Sequence, residues 1–314
     1  MDKSMFRYIG RRVLISLLTL LVILTVLFIL VKLLPGTPFN DEKLTEGQRA
    51  IIMAKYGLDK PLIVQYFTYI KNMLTGDFGI SYSLFKELPV STLVGQAAGI
   101  SFSLGIAAVI LGSIFGMILG IIAALNQNKF WDTFATIISV IGVAIPSFVF
   151  AMLLMIVFGS ELRILPTIFN SDDVITTSIL PVVALSMSVI ANVARFTRTE
   201  MISVLNSDYI ELVKAKGLSR NKVIRSHCLR NSLIPVVTVL GPILVNLMTG
   251  TMVVEKVFSI PGLGRLLVDS IQANDYNIIL ACSFLYSAMY IIMMLVIDIS
   301  YGIIDPRIRL GKEE

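Results

Sequence analysis

An all-α integral membrane protein with six transmembrane helices is the fold class that the sequence predicts, on three observations. The 314-residue chain is 56% hydrophobic and only 15% charged, against about 45–50% apolar and about 25% charged in soluble domains. Six mostly apolar runs approach or exceed the roughly 20 residues a spanning helix needs: 9–34, 100–125, 134–158, 179–194, 233–254 and 278–299. The segments between them alternate in charge. With the N-terminus inside, the inner segments carry 16 Lys and Arg against 8 acids, and the outer ones 9 against 12, as positive-inside topology requires. An even number of spans puts both termini in the cytoplasm.

The first span follows Arg7, Arg11 and Arg12, as a signal peptide would. Its apolar run continues from Val13 to about Leu34 without a small-x-small cleavage site, so it reads as an uncleaved helix. The 35–99 segment is an extracytoplasmic insertion. Pro61 opens a short amphipathic helix there, predicted over 62–74, with Phe67, Ile70 and Leu74 on one face. Gly76 and Gly79 then mark a turn. Residues 100–304 form the core with the other five spans and a cytoplasmic loop, 195–232. A cytoplasmic tail, 305–314, follows.

Within the second span Gly112, Gly116 and Gly120 recur every four residues and form a flat face for close helix packing; a moving interface is the alternative. Pro146, Pro181, Pro235 and Pro242 lie within or beside spans. Each frees a backbone carbonyl, and fixed kinks are the reading adopted over hinges.

Several function classes fall away. The net charge of +5 follows membrane topology, so nucleic acid is not a partner and the lipid bilayer is. His227 is the sole histidine and Cys228 and Cys282 the sole cysteines, which leaves no metal-ligand cluster. One cysteine falls in the inner loop and the other in a span, so no disulfide is expected. The chain lacks the phosphate loop of nucleotide hydrolases and the H-E-x-x-H pair of zinc proteases. It is not expected to be an enzyme or to bind a cofactor.

The most informative segment is DYIELVKAKGLSRNKVIRSHCLRNSLIP, from Asp208 to Pro235. Asp208 reads as an N-cap with Glu211 three residues on. Tyr209, Leu212 and Val213 form an apolar stripe. Lys214 and Lys216 suit the last turn, and Gly217 the left-handed position that ends a helix. Ser219 reads as the cap of a second helix whose stripe is Val223, Ile224, His227 and Cys228, the last two as packing residues. Residue types alone leave two readings open, an ordinary basic loop and a grip for a soluble partner.

The wording of this segment resembles the cytoplasmic EAA-motif loop of ABC importer permeases, in the oligopeptide/dipeptide/nickel branch. Glu211 and Gly217 keep the motif's six-residue spacing. Leu212 and Val213 depart from its two alanines, and Arg230 stands where many families have proline. Five further segments resemble the branch's subunit with the longer outer insertion, in the same order. They are LPGTPF, YGLDKPLIVQYFTYIKNMLTGDFGISY, IPSFVFAMLL, VEKVFSIPGLGRLLVDSI and DPRIRL.

The resemblance implies a type I ABC importer permease in a bacterial cell membrane, carrying oligopeptides. Dipeptides, or nickel or a nickel chelate, are the alternative cargoes. It also implies a sister permease, two cytoplasmic ATPases that use ATP-Mg, and an extracytoplasmic binding protein. The ATPase-coupling residues would be Asp208, Tyr209, Glu211, Leu212, Ala215, Lys216, Gly217 and Leu218. Pro261, Gly262, Gly264 and Arg265 would form an outer-mouth turn, or a gate or binding-protein contact. Asp298 is the acid well inside an apolar run. It is read as sitting near the inner end of the sixth span, within reach of water or Arg307, rather than as a coupling group. The rival class, an ion-driven secondary transporter, would need paired charges near the midplane and inverted repeats.

Overall fold

The computed structural model describes residues 3–33, 46–55 and 57–304. LPGTPF at 34–39, DPRIRL at 305–310 and Arg307 lie outside them. The described residues form α-helices joined by short turns, with one isolated antiparallel bridge, Ile80 to Pro89. The helices, in order, are α1 (Lys3–Leu33), α2 (Glu46–Lys55), α3 (Leu62–Thr75), α4 (Val90–Leu125), α5 (Phe130–Ala144), α6 (Ser147–Leu154), α7 (Val174–Leu205), α8 (Asp208–Ala215), α9 (Arg220–Val223), α10 (Leu229–Val257), α11 (Leu263–Gln272) and α12 (Tyr276–Ile304). α6 runs on into a π-helical turn, Met155–Glu161, and a second such turn, Ile224–Cys228, joins α9 to α10.

Among the described residues four helices are long and apolar enough to cross a membrane, in α1, α4, α7 and α12, and a bent pair makes a fifth candidate. The predicted span over 134–158, with its kink at Pro146, is that pair. Phe130–Ala144 and Ser147–Glu161 meet at 104°. Pro146 has no N–H to donate and disfavours helical geometry in the residue before it. Ile145 is accordingly extended, at φ −85° and ψ 121°. The fourth predicted span, 179–194, is the middle of the 32-residue α7, which carries on through Pro181 to Leu205. The fifth predicted span lies inside α10, a 29-residue helix containing Pro235 and Pro242.

The chain divides into two compact units, residues 1–101 with 261–314, and residues 102–260. In the first, α1 packs on α12 and α3, and α11 on α12. Leu24, Phe28 and Val31 of α1 meet Tyr69 and Met73 of α3 and Ile279 and Leu280 of α12. Phe28 stacks on Tyr69, with ring centroids 5.5 Å apart. Pro61 does precede the first residue of α3, and Gly76 ends the helix at φ +74°. The buried face is centred on Tyr69 and Met73; of the predicted Phe67, Ile70 and Leu74 only Ile70 packs against it, while Phe67 and Leu74 are exposed. A helix with apolar residues on two sides does not reveal by periodicity which side packs.

The turn after α3 is held to the start of α12 by Asp275. This fully buried carboxylate accepts from Ser81 Oγ at 2.5 Å and from the Ser83 and Leu84 amides at 3.0 and 3.1 Å, all through Oδ2. Asn277 Nδ2 donates to the Ile80 carbonyl at 2.8 Å.

In the second unit α7 is the central helix, packing on α5, α6 and α10. A Cβ on Gly112, Gly116 or Gly120 of α4 would come within 2.5, 2.8 or 2.6 Å of atoms of Val189, Val193 or Ala194 and Thr197 on α7. Real Cβ contacts are longer, so only glycine lets the two backbones come so close. At one end of the unit Asp132 of α5 takes a two-point ion pair from Arg198 of α7, Nε at 2.5 Å and an Nη at 2.8 Å. It also accepts from the Asn128 amide at 2.8 Å.

Candidate functional site

The site is the segment between α7 and α10. α7 ends at Leu205, Asn206 follows, and Ser207 precedes α8. Ser207, not Asp208, is the capping residue, and its hydroxyl donates back to the Val204 carbonyl at 2.7 Å instead of capping. Asp208 and Glu211 lie in the first turn of α8, where acidic side chains favour the helix dipole. Lys214 lies in its last turn and Lys216 just beyond it.

Gly217 has φ +78°. Its amide donates to the Lys214 carbonyl at 2.9 Å, and the Lys216 amide to Leu212 at 3.1 Å. A Cβ at Gly217 would meet no atom within 4 Å. Glycine is thus required here by the backbone angle and not by space. Ser219 stands at the start of α9 with no side-chain capping bond.

Ile210 and Val213 of α8 are buried with Met201, Ala124, Val223 and Cys228, and Leu218 packs against this cluster. The inward stripe therefore runs through Ile210 and Val213. Of the predicted stripe only Val213 faces the core. Tyr209 and Leu212 are 44% and 58% exposed. The outer side of α8 thus presents Tyr209 and Leu212 beside Asp208, Glu211, Ala215 and Lys216, all exposed. Gly217 is exposed as well.

The two helical pieces are tied across the turn by one side-chain bond, between the Tyr209 hydroxyl and His227 Nδ1. The rings stand edge to face at 5.7 Å. His227 is therefore a hydrogen-bonding residue and not only a packing one. Cys228 is fully buried, and burial pushes its thiol above the ordinary value, with Lys214 pulling weakly the other way. The segment is thus a short, basic projection, docked by one face and open on the other.

The other predicted residues lie elsewhere. Pro261 is exposed and Gly262 and Gly264 are buried. Arg265 pairs with Asp269 at 3.4 Å on α11. The predicted turn is real but short. It leads into α11, in which Leu263, Leu266, Leu267 and Ser270 have helical spacing. The Leu263 amide donates to Ser101 Oγ at 2.8 Å. Asp298 is met by Arg12 at 2.6 Å, a partner the sequence reading did not name. Among the described residues no three His, Cys, Asp or Glu side chains gather to hold a metal.

Residues 116–310 match the family described as binding-protein-dependent transport system inner membrane component, and residues 5–87 match its N-terminal companion. The chain is 43% identical over 306 residues to the dipeptide transport system permease protein DppB of Lactococcus lactis subsp. cremoris, covering 98% of this chain and all of that protein. It is 41% identical to the oligopeptide transport system permease protein OppB of Haemophilus influenzae and 40% to that of Escherichia coli, each covering 97% of this chain and all of the relative. A crystal structure of an amino acid ABC transporter with histidines superposes with a TM-score of 0.54. It is 16% identical and spans 67% of this chain and 93% of that one, a likeness of fold.

Proposed function

Since this chain belongs to the family of inner membrane components of binding-protein-dependent transport systems, we propose that it is the permease subunit of an ATP-driven peptide importer and that α8 with Gly217 is its coupling element. It is a multi-pass protein of the bacterial cytoplasmic membrane. The relatives named for dipeptides and for oligopeptides are of nearly equal similarity, and both support peptide as the cargo. A sister permease completes the path, two cytoplasmic ATPases drive it, and a binding protein delivers peptide from outside.

One observation carries the coupling reading. α8 is docked on its own unit by Ile210 and Val213 and leaves Tyr209, Leu212, Ala215 and Lys216 facing outward. A lever must be fixed at one face and free at the other. The Tyr209–His227 bond ties it to the second helical piece, and the left-handed Gly217 sets the turn between them. Nucleotide state moves such a lever only if the partner binds the two global states unequally. In this reading the termini and α8 are cytoplasmic, and α10 supplies the fifth of six spans, with α12 the sixth. Pro261, Gly262, Gly264 and Arg265 lie at the outer mouth, and Gly112, Gly116 and Gly120 hold α4 on α7.

The test is purification of the tagged chain in mild detergent, with mass spectrometry of what accompanies it, beside a variant carrying Glu211→Ala and Gly217→Val. Recovery of a sister permease and ATPases, the ATPases depleted in the variant, is the expected result. Recovery of the chain alone in a preparation that transports without ATP would refute the importer.

A further inference from the structure

A cavity of about 440 Å³ opens in the first unit, at the Leu33 end of α1. That size is in the range of small-molecule sites, about 300–1,000 Å³. Its walls include Phe28, Val31, Tyr69 and Met73, with Lys32, Lys60 and Asp77 as the charged members. Among the described residues the fixed charges of its wall therefore sum to +1.

Lys32 is the unusual member. A lysine one residue from the end of a spanning helix ordinarily extends its ammonium into water. Here the side chain turns inward. Its ammonium lies 5.6 Å from the Phe28 ring centroid and donates to Gln65 Oε1 at 2.5 Å. Gln65 is itself held, its Nε2 donating to the Leu58 and Lys60 carbonyls at 3.1 and 2.6 Å. No carboxylate pairs with Lys32 among the described residues. An ammonium has three donors, and Gln65 takes one. The nearby acid, Asp77, accepts the Gly79 amide at 3.1 Å. Tyr69, only 8% exposed and in the same wall, has a hydroxyl with no hydrogen-bond partner among the described residues.

On the same stretch of α1, Ile29, Leu30 and Leu33 are 50%, 54% and 73% exposed. Exposed apolar side chains on a spanning helix suit the acyl chains of lipid. A ligand at Lys32 thus has an anion site at its head and an apolar helix flank beside it. We propose that the cavity holds the headgroup of an anionic phospholipid, its phosphodiester on the Lys32 ammonium and its acyl chains along Ile29, Leu30 and Leu33. A soluble anion or the carboxylate of a peptide shares the head chemistry but has no use for the flank.

The test is lipid retention by the purified chain, delipidated in detergent and followed by native mass spectrometry. It needs no transport activity, so it stands or falls apart from the importer reading. The probes are phosphatidylglycerol and the diacylglycerol with the same chains. Charge-assisted contacts are about twice as strong as neutral ones, so an approximately tenfold preference for the phosphatidylglycerol is expected. Lys32→Gln should abolish the preference with the thermal midpoint unchanged, and Lys71→Gln, an exposed lysine outside the cavity, should keep it. Equal retention of the two lipids refutes the site. Equal losses in both variants refute it as well, since the effect would then be bulk charge. Displacement of the lipid by inorganic phosphate or by a dipeptide, dependent on Lys32, assigns the cavity to that soluble anion instead.

Discussion

The Arg12 guanidinium donates to Asp298 Oδ2 at 2.6 Å, joining α1 to α12. Tyr8 completes the arrangement, its ring 5.5 Å below the guanidinium and its hydroxyl donating to the Asp298 carbonyl at 3.3 Å. The acid is thus neutralised where it stands. The pair ties two helices of one unit together.

Asp298→Asn should therefore leave peptide uptake largely intact and lower stability by about 1 kcal/mol, because the pair is partly exposed. Arg12→Met should cost more, about 2 kcal/mol, since it strands a carboxylate between helices. Combining Arg12→Met with Asp298→Leu should recover most of the loss. Thermal unfolding in detergent reads all three, and loss of uptake in Asp298→Asn with normal assembly would return that residue to a coupling role.

Asp132 and Arg198 form a more demanding pair, the acid being 4% exposed. Asp132→Ala should destabilise by about 2–3 kcal/mol, a figure reduced for the partial exposure of Arg198. A second change, Arg198→Leu, should relieve part of that. Additive losses in the double-mutant cycle would show that the two residues act separately.

Gly217→Val forces a β-branched residue to φ +78°, at a cost of about 1–2 kcal/mol paid within the turn. Membrane insertion should be unchanged and ATP-driven uptake lost. Gly217→Ala should fall between, because open space surrounds the position. Uptake by proteoliposomes of the assembled importer separates the three, and a fully active Val variant would sink the lever.

Cys228 gives a dependence on pH. Its thiol is held above the ordinary value of 9.0 by burial. The folded chain therefore keeps a proton that the unfolded chain gives up, and stability falls as pH rises from 9.0 through the folded value. Below 9.0 this contribution is fully present. Cys228→Ala should flatten the alkaline limb of the unfolding profile, and maleimide should react slowly with Cys228 in the folded chain at pH 7.

Much of this was legible in the sequence because spanning helices need long apolar runs, and runs of that length are hard to mistake. The pause at Gly217 and the start at Pro61 were legible because each residue has a single-position backbone preference. The break at Pro146 was visible, but its 104° angle was not, since the bend depends on how neighbouring helices receive the freed carbonyls. The faces of α3 and α8 were misread for one reason. Both carry apolar residues on two sides, and only tertiary packing selects Tyr69 with Met73 and Ile210 with Val213. The partner of Asp298 lies 286 residues away in sequence, beyond any local pattern.

The seam between α4 and α7 has a consequence for how this chain can drift. Shrinking a neighbour ordinarily rescues an enlarged residue, so paired changes can travel together through a lineage. At Gly116 the obstacle to a methyl group is Val193 and also the Ile190 carbonyl, at 2.9 Å; at Gly120 it is the Ala194 carbonyl, at 2.6 Å. A carbonyl belongs to every amino acid and cannot be mutated away. In a randomised library these two sites should return glycine even when 193, 194 and 197 vary freely, while Gly105, with no atom within 4 Å of its would-be Cβ, should readily accept alanine.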